Sequence, residues 1–597
     1  MAPRRAVRED RPDGSTLLRH PMPLQPHARC IGDWLEHWAL HTPEAPCLAE
    51  RAAGAPGGWR RLNWREVRQA VGRLAQGLLE RDLPAGQPVV VLSDNSIDHA
   101  LLTLAVMHIG RTACTVSSAY SRLTRDFTRV HGMLDMLQPC LIYASDAAVY
   151  GAAAAEWPGQ ALRVFSANAG QVPGAIGLDA LQQAPETEAV TRAWAAITPD
   201  THAKYLLTSG STGTPKVVIN THRMLTANQQ QVAQVWPFLL EHPLHLLDWL
   251  PWSHTFGANH NLNMVLAHGG SLSIDDGRPV PGLVEKTLAN LREVKPNFYF
   301  NVPRGFDMLL PFLEQDDACA AEVFERMEGI FYAGAALPQS TWERLAAVVQ
   351  RVRPSRPLWF TSAWGSTETS PAVTTVHWPI ERAGCIGLPL PGVSMKLVPN
   401  GGKLELRVRG PNIFPGYRGQ PDATRAAFDD EGYYRIGDAG RWVDESDPAQ
   451  GVAFDGRVAE DFKLLSGTWV SVGTLRVKAV SALAPLISDA VVTGHDREEI
   501  GLLLFPTPAA KALPADALQG QLHSALHALA SQSHGSAQRV TRALVLAEPP
   551  SVDAGEITDK GYLNQRAVLT RRADAVAALY GEGPLPAGCL RVLLTAA

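Results

Sequence analysis

The sequence predicts an α/β protein with a large N-terminal domain of parallel sheets and helices over residues 1–455 and a small α+β domain over residues 456–597. Three observations predict it. At 597 residues the chain exceeds the size at which one hydrophobic core stops growing, so at least two domains are expected. In the N-terminal part, segments of helical period alternate with short apolar runs, the pattern of strands joined by crossover helices. Beyond residue 455 the elements shorten and the alternation is lost.

Taken in order, Ile31 to Ala39 repeats apolar residues at i, i+3, i+4 and i+7, and Val67, Val71, Leu74, Leu78 and Leu79 do the same, so both read as amphipathic helices. The run from Gln87 to Leu92, bounded by Gly86 and Asp94-Asn95, reads as a buried strand, and a mostly apolar helix follows from about Ile97 to His108. Gly- and Pro-rich turns fall at Gly269-Gly270, Asp276 to Pro281 and Pro399 to Gly402. In the C-terminal part, Leu518, Leu522, Leu526 and Leu529 mark a helix and Leu544 to Leu546 a strand, with the joint between domains expected near Asp455-Gly456-Arg457.

Composition narrows the function classes. A hydrophobic fraction of 46% with 19% charged residues fits a folded globular enzyme and excludes a disordered chain. Net charge is −5, and the arginines near the N-terminus are mixed with Glu9, Asp10 and Asp13, so no nucleic acid or anionic membrane is expected as a partner. The seven cysteines are scattered and never spaced as CxxC, which argues against a disulfide framework or a zinc site and for reduced thiols. There is no apolar leader near the N-terminus, and the longest apolar stretch, Ala100 to Ile109, is too short to span a bilayer, so a cytoplasmic location is expected.

The strand pattern Lys204 to Leu207 runs into Thr208-Ser209-Gly210-Ser211-Thr212-Gly213-Thr214-Pro215-Lys216. Glycines let backbone N–H groups converge on phosphate oxygens, hydroxyls donate further hydrogen bonds, and a lysine adds a point charge. The run fails as a Walker A loop because Pro215 precedes Lys216 and Val217 follows it. A polar surface loop is the plain alternative. With these residues the sequence resembles the adenylate-forming superfamily of acyl-CoA synthetases, luciferases and peptide-synthetase adenylation domains, whose phosphate loop Thr208 to Lys216 matches throughout.

That resemblance implies further motifs in a fixed order, and they are present. Leu250 to Gly257 is similar to the motif whose histidine, here His254, borders the acyl pocket; alone, His254 would read as an ordinary packed or surface histidine. Tyr332 to Pro338 looks like the strand-end turn that lies against adenine and acyl group, which implies nucleotide contacts at Gly334, Ala335 and Ala336. After a strand at Trp359 to Ala363, Trp364-Gly365-Ser366-Thr367-Glu368 resembles the aromatic-Gly-x-Thr-Glu motif, which implies Trp364 beside adenine, Thr367 on the α-phosphate and Glu368 on Mg²⁺. Lys403 to Gly410 with Gly416-Tyr417 resembles the next motif, although Lys403 stands where glycine is usual. Tyr434 to Asp438 follows, with Asp438 expected on the ribose hydroxyls, and Gly456-Arg457 opens the hinge, with Arg457 expected on ribose or phosphate.

The hinge departs from the family pattern: Ala459 stands where Asp or Lys is usual, Glu460 and Asp461 follow, and Gly467 comes one residue late. Either Ala459 or Glu460 is the hinge residue. Near the C-terminus, Gly555-Glu556-Ile557-Thr558-Asp559-Lys560 resembles the branch in which the adenylation lysine is displaced, so Lys560 is assigned that role and Glu556 occupies the more usual lysine position. A solvated surface lysine is the alternative.

The resemblance implies an ATP-dependent acid–CoA ligase with a mobile C-terminal domain, using ATP, Mg²⁺ and coenzyme A. Catalytic roles fall to Lys560, Thr367, Glu368 and His254. The segments Asp461 to Gly473 and Glu556 to Arg566 look like those of bacterial feruloyl-CoA synthetases, which implies a hydroxycinnamic acid as substrate and a place in aromatic acid catabolism. Another aromatic or medium-chain acid, or an acyl-AMP ligase with a different acceptor, is the alternative. Gly257 after Phe256 leaves no aspartate for an amino group, which argues against an amino-acid substrate.

Overall fold

The computed structural model describes residues 1–52, 54–124, 126–209, 215–533, 535–551, 554–557, 563–581 and 588–592. Seven strands form a sheet in the order Pro215–Thr221, His202–Ser209, Ala113–Thr115, Val89–Val91, Leu141–Asp146, Leu162–Ala167 and Ile176–Gly177. All pair in parallel except Pro215–Thr221, which returns antiparallel to His202–Ser209. The amphipathic helices are Ile31–His41 and Trp64–Leu79, and the apolar one is Ile97–His108. Asn63 caps the second of these: its side chain accepts from the Glu66 N–H while Glu66 accepts from the Asn63 N–H, satisfying two amides at the helix start.

A second sheet of eleven strands is mixed, and three of its strands, Phe298–Asn301, Gly329–Tyr332 and Trp359–Gly365, lie parallel at one edge. At the other edge Val7–Asp10 and Thr16–Arg19 pair with one another and then with Ser394–Asn400. Its interior includes Lys403–Arg409, Tyr434–Trp442 and Val452–Arg457. A four-stranded sheet, Pro46–Arg51 and Trp59–Asn63 with His245–Asp248 and Ser271–Ile274, completes the large domain's described sheets.

After Val452–Arg457 a small hairpin, Phe462–Lys463 with Trp469–Val470, leads into the helix Val472–Leu483. The strands Ile487–Thr493, Ile500–Pro506, Val540–Val545 and Cys589–Arg591 form a separate mixed sheet, packed on Val472–Leu483 and on Ala515–Ser531 through Leu475, Leu502, Leu522 and Leu526. Among the described residues no helix is long and apolar enough to cross a membrane.

Candidate active site

Parallel strands leave their carboxyl ends open for ligands. At those ends the sheet brings together Asn301, Tyr332 and the 359–365 strand: Asn301 pairs with Tyr332 and Tyr332 with Ser362. Gly334 and Ala335 are exposed and Ala336 half-buried just beyond Tyr332, so the turn is open to a ligand. Gly210, Ser211, Thr212 and Gly213 lie outside the described residues, as does Lys560. The strands on either side of the phosphate loop are described, with Thr208 paired to Lys216 and Ser209 to Pro215.

Lys216 holds its ammonium 4.7 Å from the centroid of the Tyr417 ring. The Tyr417 hydroxyl donates to Glu368 Oε1 at 3.0 Å, and Glu368 is only 7% exposed. Glu368 sits with half-buried Thr367 on a single 3₁₀ turn, Thr367–Thr369, directly after the 359–365 strand. The Ser366 N–H donates to Thr369 Oγ1 at 2.8 Å and fixes the start of that turn.

Trp364 does not lie free beside an open slot. Its indole N–H donates to Asp438 Oδ2 at 2.8 Å, and both residues are buried. Arg457, cross-strand partner of Asp438, puts Nε 3.1 Å from Oδ1. That contact lacks the alignment of a hydrogen bond, so Oδ1 is a buried carboxylate oxygen with no hydrogen-bond donor among the described residues. Burial pushes the Asp438 pKa above the ordinary carboxylate value, and the Arg457 charge works against that shift. The open acceptor on Asp438 fits a ribose hydroxyl, because a buried polar atom normally finds a partner.

His254 is half-buried on the turn before the π-helix Phe256–Leu262, its N–H donating to the Pro251 carbonyl at 3.1 Å. The turn is fixed by Asn95, whose side chain donates to the Leu250 carbonyl and accepts from the Trp252 N–H. A Cβ on Gly257 would stand 2.4 Å from the Leu250 carbonyl oxygen, so this position is closed to any side chain. His260 packs 5.4 Å from Phe300 and 4.9 Å from Phe331, with Phe256 5.7 Å away, and burial lowers its pKa to about 4, leaving it neutral at pH 7.

Sequence reasoning gave no role to Tyr417 or His260, which the structure places against Glu368 and the aromatic wall. The Gly416-Tyr417 motif was a signal for the first; His260 lies inside an irregular helix and gave none. At the hinge, the Glu460 N–H donates to the Arg457 carbonyl at 3.2 Å, and burial raises the Glu460 pKa.

Among the described residues no group of three or more His, Cys, Asp and Glu side chains is arranged to hold a metal. One buried carboxylate, such as that of Glu368, fits Mg²⁺ all the same, since that ion keeps waters and shares phosphate oxygens of a nucleotide. When bound, it would neutralise phosphate charge there.

Comparison with known proteins shows the family and the fold. The profile of the AMP-binding enzyme family matches residues 35–418, and that of the AMP-binding enzyme C-terminal domain matches residues 474–583. The long-chain-fatty-acid–CoA ligase FadD15 of Mycobacterium bovis is 24% identical over 88% of this chain and 93% of its own length. A 4-coumarate–CoA ligase of Pinus taeda is 23% identical over 77% of this chain and 81% of its own. ATP-bound MatB from Rhodopseudomonas palustris shares the fold with a TM-score of 0.68 at 20% identity, covering 92% of this chain and 99% of that one. The A-PCP didomain of carboxylic acid reductase from Segniliparus rugosus, in complex with AMP, aligns with a TM-score of 0.71 at 18% identity over 94% of this chain and 83% of that one. With a family profile spanning well over half its length, the chain belongs to the AMP-binding enzyme family, the adenylate-forming enzymes.

Proposed function

We propose that the protein is an ATP-dependent acid–CoA ligase that forms an acyl-adenylate and then an acyl-CoA thioester, and that its acid is ferulate or a related hydroxycinnamic acid. The observation that carries the reading is the linked set Trp364–Asp438–Arg457 beside Tyr417–Glu368 and Lys216, with one buried acceptor left open at Asp438. In the first step a substrate carboxylate oxygen attacks the α-phosphorus of ATP and pyrophosphate leaves. The site's part is positioning and charge stabilisation: the amides of the 209–213 loop, Lys216 and Lys560 meet phosphate oxygens, Thr367 meets the α-phosphate, and Asp438 accepts from the ribose. In the second step the CoA thiol sulfur attacks the acyl carbonyl, AMP leaves, and the small domain turns about 457–460 to admit the thiol.

Half-buried Phe256, packed on the buried rings of His260 and Phe331, supports an aromatic acid, and His254 is expected at the border of its pocket. So does the likeness of residues 461–473 and 556–566 to feruloyl-CoA synthetases. The compartment is the cytoplasm, which supplies ATP and CoA.

The test is AMP and acyl-CoA formation from ATP, Mg²⁺ and CoA over ferulate, coumarate, benzoate and medium-chain fatty acids, with Lys560→Ala as control. Acyl-CoA is expected preferentially from the cinnamates, with a fall on the order of 10²–10³ in the control by analogy with other preorganised stabilisers. Adenylate without thioester would make it an acyl-AMP ligase, and turnover confined to fatty acids would overturn the substrate.

A further inference from the structure

We propose that Tyr417 is a positioning residue: it sets the Glu368 carboxylate and the Lys216 ammonium in the orientation in which they meet a nucleotide's phosphates, and so governs how strongly a divalent cation promotes nucleotide binding. The inference rests on the functional reading above and adds a residue to which neither the motif nor the family gave a role.

The backbone of 416–418 is laid along the strand that leaves the phosphate loop. The Ile219 N–H donates to the Gly416 carbonyl, the Arg418 N–H donates to the Val217 carbonyl at 2.9 Å, and Tyr417 is bridged to Val218. The segment is therefore in register with Lys216, two residues from Val218. Arg418 fastens it on the far side by donating to the carbonyls of Met136 and Leu137 and stacking 5.3 Å from the Tyr205 ring. Gly416 has φ +151°, and a Cβ there would meet Thr424 Cγ2 at 2.6 Å, while Thr424 Oγ1 accepts from the Tyr417 N–H at 2.9 Å. The Gly-Tyr pair is thus built for close approach, and its product is a ring whose position is determined from both sides.

That ring has two charged neighbours. Its hydroxyl donates to Glu368, and its face carries the Lys216 ammonium. If Tyr417 only filled space against Phe414, 4.8 Å away, phenylalanine would serve equally well, because the packing face is the same ring. The hydroxyl is what distinguishes the two residues. Burial and the Glu368 charge both raise the Tyr417 pKa, so the phenol stays a donor throughout the working pH range.

The experiment is calorimetric titration of the full chain with ATP, first in EDTA and then at stepped Mg²⁺ concentrations, for wild type, Tyr417→Phe and Tyr417→Leu, with thermal melts of each. Tyr417→Phe should bind metal-free ATP within about two-fold of wild type yet need roughly ten-fold more Mg²⁺ for half of the metal-dependent gain, the scale of one hydrogen bond to a charged group. Tyr417→Leu should also lose metal-free ATP affinity by about three-fold or more, because Lys216 loses its ring. A wild-type Mg²⁺ response in Tyr417→Phe overturns the proposal. So does an equal loss with and without Mg²⁺ that tracks a lowered melting temperature, which is the mark of a packing role. Failure of wild type to bind ATP at all would instead remove the functional reading on which the proposal stands.

Discussion

Lys204 illustrates how much one side chain can store. It lies buried in the strand that leads to the phosphate loop, and its ammonium donates to the Ala258 carbonyl, Asn259 Oδ1 and Asn263 Oδ1, each at 3.4 Å, all neutral acceptors. Burial pushes its pKa down to about 7. The unfolded chain, with a lysine pKa of about 10.4, then binds more protons than the folded one between pH 7 and 10, so stability rises with pH across that window. Lys204→Met should therefore be more stable than wild type by several kcal/mol near pH 6.5, and the gap should close by up to about 1.4 kcal/mol per pH unit toward pH 10. Urea unfolding at pH 6.5, 8 and 9.5 measures it; a gap independent of pH would mean that the lysine keeps its charge and its water. Nothing in the sequence distinguishes this lysine from a strand-end surface lysine, because burial of a charge is decided by what packs on it from residues 258–263. The same holds for Asp438 and Glu368, whose motifs were legible but whose partners, Trp364 and Tyr417, were not.

At the scale of elements, Glu556, four positions before the assigned adenylation lysine, is anchored to the residues that follow in the small domain. Glu556 is 0% exposed; its carboxylate accepts from the Ser551 N–H at 2.8 Å, from Arg571 at 2.7 Å and twice from Arg572, at 2.7 and 2.9 Å. Arg572, followed by burial working the other way, leaves the Glu556 pKa at about 2. A folded pKa below the unfolded value of about 4.3 contributes stability that is present above pH 4.3 and is lost as pH falls toward 2. Glu556→Gln should cost the small domain about 3 kcal/mol at pH 7 and flatten its acid transition, read by far-UV circular dichroism against pH. An unchanged acid midpoint would show that the arginines need no carboxylate. The helices of the large domain were legible because their apolar period is unbroken: the segments read at 31–39 and 97–108 are Ile31–His41 and Ile97–His108. The buried strand read at 87–92 is shorter, Val89–Val91. The strands Val7–Asp10 and Thr16–Arg19 escape a sequence reading, since they are short and carry charged residues, and the second, on which the first pairs, is itself paired with residues some 380 positions away. The π-helix after His254 was equally invisible, because its extra residue per turn leaves no simple period.

At the scale of the molecule, two departures from the family pattern, lysine in place of glycine at 403 and an acidic pair at 460–461, turn out to meet. Lys403 projects from the eleven-stranded sheet, and its ammonium donates to the Asp455 carbonyl at 2.6 Å and Ser471 Oγ at 2.9 Å and pairs with Asp461. Asp461 in turn accepts from the Val472 N–H at 3.0 Å, the first residue of the helix Val472–Leu483. One cation thus ties the large sheet to the start of the first helix beyond the hinge. A second tie is weaker: Ser481 donates to Ser340 Oγ at 3.1 Å and accepts from the Ser340 N–H at 3.4 Å. The pair is largely shielded, with side-chain exposures of 14% for Lys403 and 5% for Asp461, so removing the lysine leaves a buried carboxylate unpaired and costs more than breaking a surface salt bridge. Lys403→Gly, which restores the residue usual in the family, should loosen the joint without touching the nucleotide contacts. Trypsin cleavage after Arg457, followed by mass spectrometry under native conditions, should then quicken by about ten-fold, as expected when an opening transition loses about 1.4 kcal/mol of restraint, while the melting of the large domain stays in place. Unchanged cleavage would show that the hinge opens without breaking this contact, and the coincidence of the two departures would then carry no mechanical meaning.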